Sequence, residues 1–187
     1  MARPRAFDPE QAIDAVMRVF WHKGFAETSY SDLVEASGVS RKGLYTAFGD
    51  KEALFVAALR HYRQTVFKAL FSTLDEEEIS VESISEMLRE FGQLAASEAG
   101  SSGCFMANTA LDDTLRIAEV RCQVDSHLSA MSQSFSEAFL RAGLTTQKAK
   151  TLGHYFTGIM QGLFLLAHAR ASQEMIESYI SVAVSAL

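Results

Sequence analysis

Apolar residues recur every three or four positions along most of the chain, which is the spacing of one face of an α-helix. The first such run includes Ile13 and Phe20, and we expect it to end at Gly24. Asp8 and Pro9 precede the run, a pair typical of a helix N-cap and first helical position. No proline follows Pro9, so no later run contains a helix-breaking residue. The pattern therefore predicts an all-α protein.

Polar caps and glycines divide the next stretch into two short helices. The cap pair Ser29 and Asp32 begins one of them, and Gly38 ends it. Ser40 is the expected N-cap of the following helix, which closes near Gly49.

A longer helix follows, and then five more. Asp50 is expected to cap a fourth helix that continues over about 51–74. A short helix is expected near 104–111, among four longer amphipathic ones. This gives nine helices in two domains, one covering 1–50 and the other 51–187, with the fourth helix connecting them.

Composition narrows the class of protein. Hydrophobic residues form 48% of the chain, enough for a buried core. The N-terminus lacks an apolar leader, and the most apolar stretch, 156–169, is shorter than the ~20 residues of a membrane helix. Cys104 and Cys122 make no disulfide framework and suit a reducing compartment. We expect a cytoplasmic protein.

Charge is distributed unevenly along the chain. Residues 1–63 hold nine Lys and Arg against eight Asp and Glu, a net charge of +1. Residues 64–187 hold eight against fifteen, a net charge of −7. DNA would be repelled by the second part and tolerated by the first, so the two parts are expected to have different partners.

The stretch SGVSRKGLYTAFGDKEALF, residues 37–55, matches the helix-turn-helix plan, in which the second short helix enters the DNA major groove. Val39, Leu44 and Phe48 are expected to face the core. The cations left outside suit guanine edges or phosphates, and the hydroxyls suit phosphates. Including two arginines ahead of the first helix, the candidate DNA contacts are Arg3, Arg5, Ser40, Arg41, Lys42, Gly43, Tyr45, Thr46 and Lys51. The alternative is an ordinary helical corner with surface cations.

The longer stretch FDPEQAIDAVMRVFWHKGFAETSYSDLVEASGVSRKGLYTAFGDKEALF resembles the N-terminal domain of the TetR (tetracycline-repressor) family of transcriptional regulators. The resemblance covers roughly residues 7–60, and the downstream helix count agrees with the family's nine-helix plan. It implies a homodimeric repressor of a palindromic operator. It also implies a recognition helix over 40–46 and a phosphate contact from Thr28 or Ser29. Many relatives have Arg-Gly-Ser or Arg-Gly-Thr where this chain has Arg41-Lys42-Gly43, a difference that bears on base preference.

The last two helices suit self-association. Gly158 and Gly162 lie four residues apart and permit close helix approach, and the last helix is apolar on more than one side. The resemblance implies that both helices pair with their copies in a second subunit. The candidate interface residues are Phe156, Gly158, Ile159, Gly162, Leu166, Ile176, Tyr179, Ile180 and Ala183. The alternative is that they complete the core of one chain.

Met and Phe residues in the middle helices suggest a cavity for a small apolar effector, although such a stripe also suits an ordinary core. The candidate pocket residues are Phe67, Phe71, Met87, Phe91, Cys104, Phe105, Phe135 and His154. In the family, an effector bound there shifts the fourth helix, changes the separation of the two recognition helices and releases DNA.

Cys104 is a candidate redox or electrophile sensor. Its predicted place in the first turn of a short helix would lower the pKa of its thiol. The alternative is a buried, inert cysteine. The histidines and cysteines show no metal-ligand spacing, so we expect no metal and no cofactor.

Two other functions are compatible with parts of the pattern. One is a small thiol-dependent helical enzyme using Cys104 with a histidine such as His154, and the other is a helical adaptor that binds protein through its helix-turn-helix. The sequence shows no set of nucleophile, base and orienting group and no phosphate loop, so we expect no enzyme.

Overall fold

A computed structural model describes residues 7–187, and this part of the chain is helical with no strand. Arg3 and Arg5 lie outside the described residues. Counting the irregular fourth helix once, the described part contains nine α-helices, as predicted. They are α1 (Pro9–Glu27), α2 (Tyr30–Ser37), α3 (Arg41–Phe48), α4 (Lys51–Tyr62, continued by Arg63–Phe67 and Lys68–Leu70), α5 (Val81–Ala96), α6 (Phe105–Ala110), α7 (Ala118–Arg141), α8 (Thr146–His168) and α9 (Gln173–Val184).

Helix α1 begins where the sequence predicts and continues past its predicted end. The Asp8 carboxylate accepts a hydrogen bond from the backbone N–H of Glu10 at 2.9 Å. At Gly24 the backbone leaves the helical region, with φ 74° and ψ 172°, but one more turn follows to Glu27. The predicted end is therefore a kink, which a residue without a Cβ adopts without strain.

The caps of α2 and α3 confirm the sequence prediction. Ser29 and Asp32 form a reciprocal capping box at the start of α2. Gly38 ends α2 in the left-handed conformation, with φ 65°. The Ser40 hydroxyl then accepts from the N–H of Gly43 at the start of α3.

Helix α4 is less regular and shorter than predicted. Arg63–Phe67 form a π-helical turn, and the helix ends at Leu70, short of the predicted 74. Tyr62 and Phe67 are both buried and lie five residues apart. Hydrogen bonds from i to i+5 place such a pair on one face, a register that the apolar spacing alone does not reveal.

The part of the chain that follows α4 is built around α7 and α8, which pack along each other. Gly153 of α8 lies at this contact, where a Cβ would meet the side chain of Ser136 and lie 2.8 Å from the carbonyl oxygen of Ser132. Helix α9 packs against both α8 and α5. Within residues 7–187 no helix is long and apolar enough to cross a membrane.

Aromatic packing joins the first three helices to the rest of the chain. The Phe55 ring of α4 lies 5.0 Å from Phe20 and 5.1 Å from Phe25 in α1, and 5.5 Å from Phe105 in α6. The Trp21 indole donates a hydrogen bond to the carbonyl oxygen of Ser102 at 3.2 Å. Helix α1 is therefore held both by α4 and by the loop that precedes α6.

Replacing Gly38 tests the turn between α2 and α3. A Cβ at this position meets no atom within 4 Å, so the cost of a side chain is only that of the left-handed backbone. We expect Gly38→Ala to reduce the free energy of unfolding by about 1–2 kcal/mol and Gly38→Asn to cost less, since asparagine tolerates this conformation. Urea unfolding measures both variants. Equal stability of the alanine variant and the unchanged protein would contradict the left-handed turn.

Candidate nucleic-acid interface

The turn at Gly38 fixes α3 so that one side is anchored and the other is open to solvent. Leu33 of α2 and Leu44 of α3 are fully buried beneath the turn. On the opposite side Arg41 and Lys42 are exposed, and the Tyr45 side chain is 62% exposed. This arrangement presents cations and a phenol at the surface of a short, rigidly held helix, as a recognition helix requires.

Aromatic rings hold two of the candidate cations. The Arg41 guanidinium lies 4.3 Å from the centre of the Tyr30 ring, and the Lys51 ammonium lies 4.4 Å from the centre of the Phe25 ring. Cation–π contacts limit the freedom of both side chains without neutralising their charge. Both cations thus remain available to an anion.

The start of α2 carries a tight polar cluster. Asp32 accepts from the backbone N–H and hydroxyl of Ser29, and its carboxylate lies 2.7 Å from the Lys23 ammonium. The hydrogen bond from Lys23, followed by those from Ser29, lowers the pKa of Asp32 to about 2. Thr28 is buried and its hydroxyl donates to the carbonyl oxygen of Gly24, so Ser29 is the one of the two candidates that reaches the surface.

Gly43 was predicted to face outward, and this is wrong. It is half-buried, and a Cβ would lie 2.8 Å from a methyl group of Val39 and 3.6 Å from the Phe7 ring. Glycine here lets α3 pack closely on the preceding turn. Thr46 is exposed as predicted, although its hydroxyl donates to the carbonyl oxygen of Lys42.

Comparison with known proteins identifies the family. A family model described as "Bacterial regulatory proteins, tetR family" matches residues 12–58, and one described as "Transcriptional regulator LmrA/YxaF-like, C-terminal domain" matches residues 80–181. The structure of the TetR-family regulator CifR, a cysteine mutant complexed with 26-base-pair operator DNA, is 30% identical. It covers 98% of this chain and 99% of its own, with a TM-score of 0.84. The chain belongs to the TetR family. This class consists of DNA-binding transcriptional regulators.

Two further relatives, both HTH-type regulators, match over different lengths. The repressor ComR of Escherichia coli (strain K12) is 38% identical over 107 residues, 57% of this chain and 51% of ComR. The match thus spans about half the length of that relative. YezE of Bacillus subtilis (strain 168), an uncharacterised HTH-type transcriptional regulator, is 23% identical over the full length of both chains.

The candidate effector residues are mostly buried against one another in this TetR-family chain. The Phe71 ring packs 4.3 Å from Phe67, 5.1 Å from Phe91 and 5.8 Å from Phe135. Phe67 and Phe71 line one surface groove, whereas Phe105 lines a different one near α1. Their side chains fill the core, so the structure does not bring all the candidates around one cavity.

His154 does not belong to this cluster, because its side chain is exposed on α8. The histidine that does belong is His127 of α7, which is fully buried. Burial, and then the charge of Arg63, lowers the pKa of His127 to about 4. Sequence analysis missed His127, although it continues the apolar spacing of Val120, Val124 and Met131 and could have been found from that position.

Cys104 is fully buried, which overturns the reasoning that made it a sensor. It is the N-cap of α6 and lies outside the first turn, and burial raises the pKa of its thiol. The neighbouring Tyr62 hydroxyl opposes part of that shift. The Cys104 Sγ lies 3.9 Å from His127 Nε2, while His127 Nδ1 has no hydrogen-bond partner within residues 7–187.

The candidate dimer residues fall into two groups. Four of them are buried in the core of one chain and present no surface to a partner: Phe156, Ile176, Ile180 and Ala183. Their assignment to an interface is therefore wrong. Gly162 is also used within the chain, where it makes room for the Tyr179 hydroxyl.

A different apolar face of α8 and α9 is open to solvent. Its most exposed apolar side chains are Tyr155 (40% exposed), Leu165 (51%), Met175 (54%) and Val182 (68%). The same stripe on α8 also includes the exposed Gly158 and the half-buried Ile159 and Leu166. On α9 it includes the half-buried Tyr179.

In the described part of the chain, no group of three or more histidine, cysteine or acidic side chains is placed to hold a metal ion.

The dependence of stability on pH tests the polar cluster of Lys23, Ser29 and Asp32 at the start of α2. The pKa of Asp32 is about 2 in the folded protein, whereas its ordinary value is 3.8. The ionised carboxylate therefore stabilises the fold above pH ~4, and this stabilisation is lost as the pH falls toward 2. Asp32→Asn is therefore expected to be less stable than the unchanged protein at pH 6, with a difference that shrinks at pH 3.

Urea unfolding at both pH values measures this difference. Asp113→Asn, which removes an exposed carboxylate paired with Arg116, is the control and should show no such change with pH. A deficit of Asp32→Asn that is the same at pH 6 and pH 3 would contradict the assignment.

Proposed function

We propose that the chain is a homodimeric transcriptional repressor that binds a palindromic operator and is released by an effector. The observation that carries this proposal is the outer face of α3, where Arg41, Lys42 and Tyr45 are exposed while Leu44 is anchored in the core. Such a repressor acts on the bacterial chromosome in the cytoplasm, and the proposal assigns it no catalytic reaction.

Base reading falls to the N-terminal end of α3. Arg41 and Lys42 carry the donors that pair with guanine O6 and N7 in the major groove. Tyr45, Ser29 and Lys51 surround that end with groups suited to phosphate oxygens, which fix the register of the helix on DNA. Ser40 stays close to the DNA as the N-cap of α3.

A dimer supplies the specificity that one recognition helix lacks. Helix α3 spans only Arg41–Phe48, and a helix of two turns touches few base pairs. The open face of α8 and α9 offers apolar surface for pairing with a second copy, and Gly158, with nothing within 4 Å of a Cβ, leaves that face flat.

Two connections support communication between the effector domain and DNA. Helix α4 passes from one domain into the other. The loop before α6 also holds α1 directly, since Ser102 accepts from the Trp21 indole and its hydroxyl lies 3.1 Å from His22 Nδ1. A ligand or adduct that moves α4 or this loop therefore moves the helix-turn-helix.

Both kinds of signal named from the sequence remain in the proposal. An apolar effector that enters the core itself requires the rings around Phe71 to separate. A thiol-reactive signal requires access to the buried Cys104, and an adduct there would press on Tyr62 of α4, whose hydroxyl lies beside the thiol. The raised pKa of the Cys104 thiol favours slow reaction.

The enzyme alternative loses its main support. It required Cys104 and a histidine such as His154 to be open to a substrate, but His154 does not lie beside the thiol, and both Cys104 and the neighbouring His127 are buried from solvent. The adaptor alternative remains separable by experiment, because it requires no DNA affinity from Arg41 and Lys42.

DNA affinity of α3 variants tests the recognition helix. We expect Arg41→Ala and Lys42→Ala each to weaken binding to the operator by about 1–3 kcal/mol and to reduce its salt dependence. Fluorescence anisotropy with DNA from upstream of the chain's own coding sequence, at two salt concentrations, measures this. Lys150→Ala, an exposed cation of α8, is the matched control. Unchanged affinity of both α3 variants would support the adaptor.

Charge substitution on α9 tests the dimer face. Val182→Glu places a carboxylate on the open apolar face and should convert the dimer to a monomer without unfolding it, since Val182 is 68% exposed. Ser181→Glu adds the same charge at the neighbouring position, off the face, and should leave the dimer intact. Analytical ultracentrifugation distinguishes the two states. A dimer that survives Val182→Glu contradicts the proposed face.

A further inference from the structure

A surface groove between the C-terminal half of α4 and α7 combines an apolar floor with a basic rim. Its volume is about 420 Å³, within the range of small-molecule sites. Phe67 and Phe71 form the floor, since both rings are buried except for the faces that line the groove. Arg60, Arg63 and Lys68 lie around them.

The charge of this groove differs from that of the rest of the surface. Arg60, Arg63 and Lys68 face a single lining carboxylate, Asp75. Four other grooves in residues 7–187 carry at least as many carboxylates as Lys and Arg side chains. None of the three cations has a carboxylate oxygen within 4.0 Å in the described part of the chain. Among these five grooves, the one between α4 and α7 is therefore lined by more cationic than anionic side chains.

The π-helical turn explains how α4 supplies both kinds of side chain. Arg63 and Phe67 are the first and last residues of that turn, and Lys68 follows directly. The turn is wider than an α-helical one, and such turns are frequent at functional sites. Ser134 of α7 also lines the groove.

We propose that this groove binds an amphipathic carboxylate, a small molecule with one carboxylate and an apolar alkyl or aryl body. The carboxylate lies between Arg63 and Lys68, and the apolar body lies on Phe67 and Phe71. This inference rests on the proposed function, for which it names the chemical class of effector. A neutral apolar molecule would form no ion pair with the cations, and a cationic molecule would be repelled by them.

Ligand position explains why such a compound would act on DNA binding. The groove lies on α4 at its irregular turn, and Phe67 packs 4.5 Å from the buried ring of His127. A ligand on Phe67 and Arg63 therefore contacts the helix that carries the helix-turn-helix, at the turn where its hydrogen-bond register changes. The site requires no opening of the aromatic core around Phe135.

Isothermal titration calorimetry without DNA tests the site. Octanoate is the probe, and 1-octanol is the uncharged control of the same chain length. We expect one octanoate per chain and at least tenfold weaker binding of 1-octanol, which corresponds to a contribution of about 1.4 kcal/mol from the carboxylate to the binding free energy.

Lys68→Ala and Arg63→Ala should each weaken octanoate binding about tenfold. Lys150→Ala, on α8 away from the groove, should bind as the unchanged protein does. Ala130→Phe, which fills the groove, should abolish binding while circular dichroism shows that the helices are retained.

Several results would overturn this site. They are the absence of octanoate binding, equal affinity for octanoate and 1-octanol, and unchanged binding in folded Lys68→Ala or Ala130→Phe. Operator binding of the same preparations separates this failure from that of the proposed function. Selective DNA binding without octanoate binding rejects the groove alone. Octanoate binding without selective DNA binding rejects the repressor alone.

Discussion

The edge-on packing of Phe55 against rings of both α1 and α6 is the contact on which the architecture depends. Phe20 and Phe25 belong to the DNA-binding part, Phe105 belongs to α6, and Phe55 lies on α4 between them. Aromatic pairs of this geometry gain energy beyond the area they bury. Because one ring of α4 packs against both α1 and α6, a displacement of α4 would disturb both contacts. The Phe55 ring thus gives α4 direct contacts with both α1 and α6.

Features set by neighbouring residues could be predicted from the sequence. The caps at Asp8, Ser29 and Ser40 and the left-handed turn at Gly38 each depend on side chains within three residues, so their chemistry is visible in the chain. Nine helices and the outward cations of α3 followed from the same local patterns. The TetR family itself was evident from the stretch that contains them.

Features set by distant contacts could not be predicted in this way. Gly43 faces Val39 and Phe7 because of the way α3 packs, which its neighbours in sequence do not reveal. Cys104 was expected in the first turn of a helix, but it is the N-cap, and its burial raises the pKa of the thiol that a free helix N-terminus would lower. The α8 and α9 residues divide between core and surface according to how those helices rotate on α5 and α7, so apolar character alone placed four core residues in the interface.

The central claim is that α3 reads an operator as one of a symmetric pair, and stoichiometric binding tests it most directly. The unchanged protein would be titrated into labelled duplexes from upstream of its own coding sequence, at low and moderate salt, with mass measured by analytical ultracentrifugation. The account predicts one fragment that binds selectively, less tightly as salt rises, with two chains on each symmetric site. Selective binding by a single chain, or equal affinity for every fragment, would contradict it.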